Sequence, residues 1–264
     1  MAFPMPLTVA GSLIAALVGV SITYAASRLL KLRAPTISIG DVRRQTSFAV
    51  LLIFVELATI ATYRYFVEPT SASAIGVSFQ ATDVLDELFR SGIVILPPLI
   101  ILAWSTRQAL VSLGIRRENV WKMIGVGVFP SAGFFILLVL VAPIAGARFA
   151  SLNVSSLYGL IVFLLGGFSE EIVWRGYIQT RLIARSGKLY GWLAASVAFS
   201  LWHLPANYRL YGGTMEALGV SLLVQFPLGL AFGYIMIRTQ NILPSSIYHL
   251  FFNWTPSLFQ IPGL

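Results

Sequence analysis

The chain contains no cysteine, only two histidines and few charged residues. The lack of cysteine excludes disulfide bonds, thiolate catalysis and thiolate metal ligation, so any metal would need histidine, carboxylate or amide ligands. Charged residues make up 11% of the 264 residues, hydrophobic residues make up 57%, and the mean hydropathy is +0.83. These values exclude a large water-soluble domain, in which about 25% of residues are typically charged. The sequence therefore predicts an integral membrane protein.

Eight apolar segments divide the chain, and most approach the roughly 20 residues with which a helix spans a bilayer. They comprise residues 5–29, 46–67, 91–113, 123–147, 157–182, 189–206, 216–238 and 242–260. The predicted fold class is all-α, a polytopic bundle of about eight transmembrane helices. The sixth segment is short and the eighth is aromatic, so we expect both to pack inside the bundle. The first segment lacks a preceding positive charge, which favours a retained helix over a cleaved signal.

Basic residues are spread through the connections between these segments. The net charge is +8, but the charges form no single stripe, which argues against nucleic acid as a partner. The first, third, fifth and seventh connections hold 13 of the 18 basic residues: Arg28, Lys31, Arg33, Arg43, Arg44, Arg107, Arg116, Arg117, Lys122, Arg181, Arg185, Lys188 and Arg238. Those assigned to the other side are Arg64, Arg90, Arg148 and Arg209, while Arg175 lies within a span. By the positive-inside rule both termini are predicted to lie outside, in what we expect to be a prokaryotic cell membrane.

Two polar features have open interpretations. Residues 83–90 carry apolar side chains at helical spacing with acidic residues between them, which is typical of an amphipathic interfacial helix or of the solvated start of the third span. Glu56 lies inside the second span without an assigned role. Arg64 follows two turns later and neutralises Glu56 only if the helix bends or water enters.

The fifth segment contains the first cluster of ionisable residues, Glu170, Glu171 and Arg175. Such groups cost about 2.5 to 3.5 kcal/mol each at bilayer depth, so a chain that keeps several of them predicts a functional site. Glu171 and Arg175 are one helical turn apart and can form an ion pair, whereas Glu170 projects about 100° away. A carboxylate in a dry site binds a proton more tightly than in water, so we choose Glu170 as a general base. The alternative is a packing network of all three side chains.

The two histidines lie on later segments. His203 follows Phe199 by one turn and precedes Pro205, which predicts a helix end that admits water; the alternative is an interfacial histidine bonded to a carbonyl. His249 and Asn253 share a helix face and direct two donors to one point, as an oxyanion requires. The alternative for this pair is an interhelical hydrogen bond, worth about 0.6 kcal/mol in membranes.

The three clusters occur together in segments nearly free of other ionisable groups, so independent coincidence is the weaker explanation. Counted from the predicted cytoplasmic ends, however, His249 lies about eight residues in and Glu170 about sixteen, a difference in depth that bends in the helices could reconcile.

The order Glu-Glu-x-x-x-Arg at 170–175, Phe-x-x-x-His at 199–203 and His-x-x-x-Asn at 249–253 resembles the CPBP group of intramembrane proteases. This group includes the type II CAAX prenyl endopeptidases and Abi-related bacterial proteins linked to bacteriocin processing or immunity. The resemblance covers about residues 157–256. It divides one integral membrane domain into N-terminal transmembrane helices, 1–156, and a CPBP-like catalytic core, 157–264.

The stretch from Gly229 to Gly233 resembles the third motif of the same family. Small residues four apart also let helices approach closely, so we interpret both glycines as packing residues.

The resemblance implies an intramembrane endopeptidase that hydrolyses a peptide bond of a membrane-associated peptide or protein within the lipid bilayer. Glu170 and His203 would activate a water, and His249 and Asn253 would stabilise the oxyanion. Arg175 would orient the acidic pair, and Glu171 would support Glu170 or share its role as base. Whether the substrate is a prenylated CAAX sequence or a leader peptide is left open.

The family has often been labelled metalloprotease, and Glu170, His203 and His249 offer ligands for zinc. The chain has no His-Glu-x-x-His sequence, and Asn253 is a poor zinc ligand but a good oxyanion donor. We therefore favour a reaction without a cofactor, with zinc as the alternative.

Two non-proteolytic functions stay open. A membrane scaffold, chaperone or bacteriocin-immunity protein with the same fold would use the motif residues for packing. A proton-coupled transporter would use Glu170 and the histidines as a relay, but the sequence shows no inverted repeat.

Overall fold

A computed structural model describes residues 5–32, 36–67, 78–150 and 152–260, and most of these described residues are helical. The α-helices are α1 (Met5–Leu29), α2 (Val42–Thr62), α3 (Ala81–Phe89), α4 (Leu96–Ser105), α5 (Val120–Val141), α6 (Val154–Glu171), α7 (Thr180–Ser186), α8 (Lys188–Trp202), α9 (Leu204–Leu210), α10 (Met215–Val220), α11 (Phe226–Thr239) and α12 (Ile242–Trp254). Stretches of π-helix are Tyr63–Val67, Arg90–Ile95, Ile172–Gln179 and Ser221–Gln225, and 3-10 turns are Leu110–Leu113, Ala142–Ala145 and Thr255–Leu258. Two short strands, β1 (Arg148–Phe149) and β2 (Phe259–Gln260), pair antiparallel.

Within the described residues, six helices are long and apolar enough to cross a membrane. They are Val9–Leu29, Val42–Val67, Ala81–Ser105, Val120–Ile144, Val154–Ser186 and Met215–Thr239. The prediction of an all-α polytopic bundle is confirmed. The sixth and eighth apolar segments correspond to α8 and α12, which have only 15 and 13 residues. Much of α12 is buried, as expected for a helix that packs inside the bundle.

The odd-numbered connections meet at one end of the bundle. The Ile37 N–H donates to Gln240 Oε1 at 3.2 Å, which joins the first and seventh connections. Arg181 donates to the carbonyl of Ser112 at 2.6 Å, which joins the fifth and third connections. Asn241 donates to the carbonyl of Arg116 at 3.1 Å, which joins the seventh and third connections. The basic residues assigned to these connections therefore gather at the same end, except that Arg33 lies outside the described residues. The side of the membrane that this end faces stays a prediction.

The assignment of Arg90 to a connection at the opposite end is wrong. Ala81–Ser105 forms one continuous span in which Arg90 begins the π-helical stretch, so residues 83–90 are the start of this span and not a separate interfacial helix. The side chain of Arg90 is only 12% exposed and pairs with two carboxylates, those of Glu87 and Glu170. These ion pairs offset the cost of burying the guanidinium.

Glu170 and His249 lie at the same depth because α12 begins further into the bundle than the end of the long helix that carries Glu170. A Cβ atom on Gly176 would lie 3.4 Å from Ile242, so α12 begins beside the π-helical stretch that follows α6. The Thr180–Ser186 helix extends beyond that level. The difference in residue count therefore reflects the longer helix that carries Glu170.

Glycines on α11 allow close packing against neighbouring helices. A Cβ on Gly229 would lie 3.2 Å from Ser196 of α8, and one on Gly233 would lie 2.5 Å from Gln179 Oε1 and 2.6 Å from Trp192 Nε1. The interpretation of both glycines as packing residues agrees with these contacts.

Candidate active site

The Glu170 carboxylate lies between the two imidazoles. Its Oε2 is 3.9 Å from His203 Nε2 and 3.8 Å from His249 Nε2, with side-chain exposures of 7%, 18% and 5% for the three residues. Oε2 forms no hydrogen bond to any described residue. The end of α6, the end of α8 and the middle of α12 thus bring one carboxylate oxygen to two ring nitrogens.

The neighbouring Glu171 has a different environment. Its Oε1 lies 3.1 Å from His249 Nδ1 and 3.4 Å from Arg175, and its side chain is fully buried. The two acids therefore differ as the 100° separation on a helix predicts: Glu171 pairs with Arg175, and Glu170 does not. Glu171 also orients the His249 ring.

Two phenylalanine rings hold the Arg175 guanidinium. The guanidinium carbon is 4.0 Å from the centre of the Phe199 ring and 5.3 Å from that of Phe232. Aromatic faces attract a cation, and this attraction is larger when the cation is desolvated. The rings thus replace part of the water that the buried guanidinium lacks.

His203 lies at the break between α8 and α9, where Pro205 occupies the first turn of the new helix. Its Nδ1 is 2.9 Å from the Phe199 carbonyl oxygen. A carbonyl can only accept a hydrogen bond, so we assign the proton of the neutral ring to Nδ1, which leaves the lone pair of Nε2 facing Glu170. The Phe-x-x-x-His spacing therefore places both the carbonyl and the Phe199 ring, 4.6 Å away, against the imidazole.

His249 stacks on Phe232, with ring centres 4.4 Å apart and planes 19° apart. Asn253 follows one turn later on α12 and is half-buried. In the described part of the chain, its side-chain amide has no hydrogen-bond partner. The structure thus places Asn253 one helical turn after His249 on α12, and it gives no contact between Asn253 and Glu170.

Sequence reasoning missed Arg90 and Glu87 as members of the site. Two nitrogens of Arg90 lie 3.3 Å from Glu170 Oε1, and Glu87 binds the same guanidinium at 2.8 and 3.0 Å. The available signal was a glutamate three residues before an arginine, a spacing at which helical side chains meet. The same spacing is typical of an interfacial helix or of a solvated helix start, so the sequence alone does not place these residues in the site.

Sequence reasoning also missed Phe232 as a neighbour of Arg175 and His249, since only the flanking glycines gave a signal. An aromatic residue on an apolar helix gives no signal by itself, because core packing accounts for it.

Glu56 is fully buried on α2, near enough to Glu170 for electrostatic interaction. Neither of its oxygens forms a hydrogen bond to a described residue, so it is not hydrogen-bonded to Arg64. Leu52 and Ile60, one turn to either side, belong to the apolar cluster that contains Trp174, Phe199 and Trp202.

The described residues contain no group of three or more histidines and acids arranged to hold a metal ion. The chemistry around Glu170 agrees, because Arg90 binds its other oxygen and Arg175 pairs with the adjacent acid. Two guanidinium groups beside the proposed ligands repel a divalent cation. The two guanidinium groups therefore oppose the binding of a metal ion at Glu170.

The fold and this site define a multi-pass membrane protein with a buried centre of glutamate, histidine and arginine. Residues 152–255 match the family model described as Type II CAAX prenyl endopeptidase Rce1-like, which confirms the resemblance to the CPBP group. The match covers less than half of the chain and leaves out α1 to α5. No curated protein and no solved structure is significantly similar to the chain.

The family match supports a protease of the CAAX type that acts within the membrane. It implies a lipid bilayer and a membrane-associated substrate as partners, and it does not favour the non-catalytic scaffold.

Proposed function

We propose that the chain is an intramembrane endopeptidase in which Glu170 and His203 activate a water to hydrolyse a peptide bond of a membrane-associated substrate. The observation that carries this proposal is the position of Glu170 Oε2, 3.9 Å from His203 Nε2 and 3.8 Å from His249 Nε2. These separations exceed a direct hydrogen bond, so an oxygen atom between the groups can be within hydrogen-bonding distance of them.

In the proposed reaction, the water donates one hydrogen bond to Glu170 and one to the lone pair of His203 Nε2. The water oxygen bonds to the carbonyl carbon of the substrate while its proton passes to Glu170. The tetrahedral intermediate then breaks its C–N bond, and Glu170 returns the proton to the leaving amine. Glu170 thus serves as base and then as acid.

His249 and Asn253 stabilise the oxyanion in this proposal. Because Nδ1 of His249 donates to Glu171, Nε2 can donate as well only in the imidazolium form. Glu170 and Glu171 flank the ring on either side and balance that charge. Preorganised donors of this kind are typically worth about 2.7 to 4 kcal/mol each.

We also propose that no metal takes part. The arginines beside both acids supply positive charge where a metalloprotease would use a metal ion, and the carboxylate of Glu170 is left to accept a proton.

A peptide-cleavage assay with the purified protein in detergent tests the proposal. The protein is incubated with a prenylated CAAX reporter peptide, the same peptide without its prenyl group, and a panel of membrane-proximal and leader peptides. We expect cleavage of at least one peptide, and the same rate after treatment with a chelator. Folded protein that cleaves none of them would contradict the proposed hydrolysis. A loss of cleavage on chelation that zinc restores would contradict only the metal-free mechanism.

A further inference from the structure

The two oxygens of the Glu170 carboxylate have different environments. Oε1 faces two nitrogens of Arg90, each at 3.3 Å. Oε2 faces the imidazoles and forms no hydrogen bond to a described residue. One oxygen is therefore anchored, and the other is available to accept a proton.

Arg90 is itself held in place by Glu87. Arg90 Nε donates to Glu87 Oε2 at 2.8 Å, and a second nitrogen donates to Oε1 at 3.0 Å. This two-point contact fixes the plane of the guanidinium and directs its remaining edge towards Glu170. Both residues are almost fully enclosed, with side-chain exposures of 12% for Arg90 and 8% for Glu87.

Two serines fix the relative position of the helices. Ser91 donates to Glu87 Oε1 at 2.6 Å, and its hydroxyl lies 3.0 Å from that of Ser169, next to Glu170. The backbone at Gly166 approaches so closely that a Cβ there would lie 2.9 Å from Arg90 and 3.1 Å from Glu87. The third span is thus in direct contact with the helix that carries the acid.

We propose that Arg90, held by Glu87, is a positioning residue that binds Glu170 Oε1 and so directs Oε2 to the water and to His203. This inference rests on the proposed function. It assigns a role to a residue outside 152–255, the segment that matches the family. Arginine suits the role because its planar fork contacts two carboxylates at once, whereas the single ammonium of lysine cannot reproduce that geometry.

The test compares Arg90→Gln, Arg90→Lys and Glu87→Gln with two controls. Arg117→Gln removes an exposed arginine far from the site in sequence, and Asp86→Asn removes an exposed acid on the same helix as Glu87. Thermal unfolding in detergent identifies the folded variants, and kcat and KM are measured with a peptide that the wild type cleaves.

We expect Arg90→Gln to lower kcat by about 10- to 100-fold with little change in KM, because a misplaced catalytic group costs up to about 100-fold. Arg90→Lys should retain part of the kcat that Arg90→Gln loses. The decrease in kcat should be smaller for Glu87→Gln than for Arg90→Gln, and both controls should have the kcat of the wild type.

Wild-type kcat in folded Arg90→Gln, or a loss confined to KM, would overturn the positioning role. If Arg90→Gln does not fold, Arg90→Lys and Glu87→Gln decide in its place, and wild-type kcat in both would overturn it. These outcomes are separate from a failure of the proposed function, which would appear as a folded wild type that cleaves no peptide.

Discussion

At the scale of single residues, the site depends on aromatic rings as much as on charges. Phe199 contacts both Arg175 and His203, and its carbonyl fixes the proton of the His203 ring. Phe232 contacts Arg175 and stacks on His249. Rings that pack on cations and imidazoles hold these groups in fixed orientations with little water, and electrostatic interactions are stronger in such surroundings.

Replacement of Asn253 tests the oxyanion role directly. We expect Asn253→Ala to lower kcat by about 100- to 1,000-fold, the usual cost of removing one oxyanion donor, while KM changes little. The amide lacks a hydrogen-bond partner among the described residues, so its removal should leave the unfolding temperature in detergent nearly unchanged. A folded Asn253→Ala variant with wild-type kcat would exclude Asn253 from the oxyanion site.

At the scale of helices, glycines set how closely α11 approaches the helices that carry Glu170 and His203. A Cβ on Gly233 would meet Gln179 and Trp192 at distances that real side chains do not adopt. We expect Gly233→Ala to destabilise the protein by about 1 to 3 kcal/mol, the usual cost of overpacking. Gly11→Ala on α1 is the matched control, since a Cβ there meets nothing within 4 Å. Equal unfolding temperatures for the two variants in detergent would contradict this packing role.

The sequence predicted the helices that carry the motif residues, because each motif has the spacing of a helical turn within an apolar segment. It did not predict which helices lie next to one another, so Arg90 was assigned to a connection. Arg90 and Glu170 are 80 positions apart, so their contact produces no local sequence pattern from which it could be predicted.

The depth of Glu170 could not be predicted either. It depends on where α12 begins beside the long helix, and this level is set by tertiary contacts at Gly176.

Two of the helices that meet at the site contain π-helical stretches, which start at Arg90 and at Ile172. Such stretches are frequent at functional sites, because the extra residue in a turn changes the direction of nearby side chains. Hydrophobic periodicity gives no sign of them.

At the scale of the whole molecule, the site includes groups from both halves of the chain. The third span supplies Arg90 and Glu87, and α6, α8 and α12 supply the acids and imidazoles. Glu56 adds a further buried carboxyl from α2. The division at residue 156 stays a prediction, and the contact between Arg90 and Glu170 crosses it.

In the proposed reaction Glu170 accepts the proton of the attacking water, and peptide cleavage by Glu170→Gln is the most direct measurement of this role. Glutamine has nearly the same shape but cannot act as a base at neutral pH. Glu118→Gln, which changes an exposed acid, serves as the matched control. We expect Glu170→Gln to fold as the wild type does and to lose cleavage to the background rate, while Glu118→Gln cleaves normally. Cleavage by folded Glu170→Gln at the wild-type rate would contradict the account.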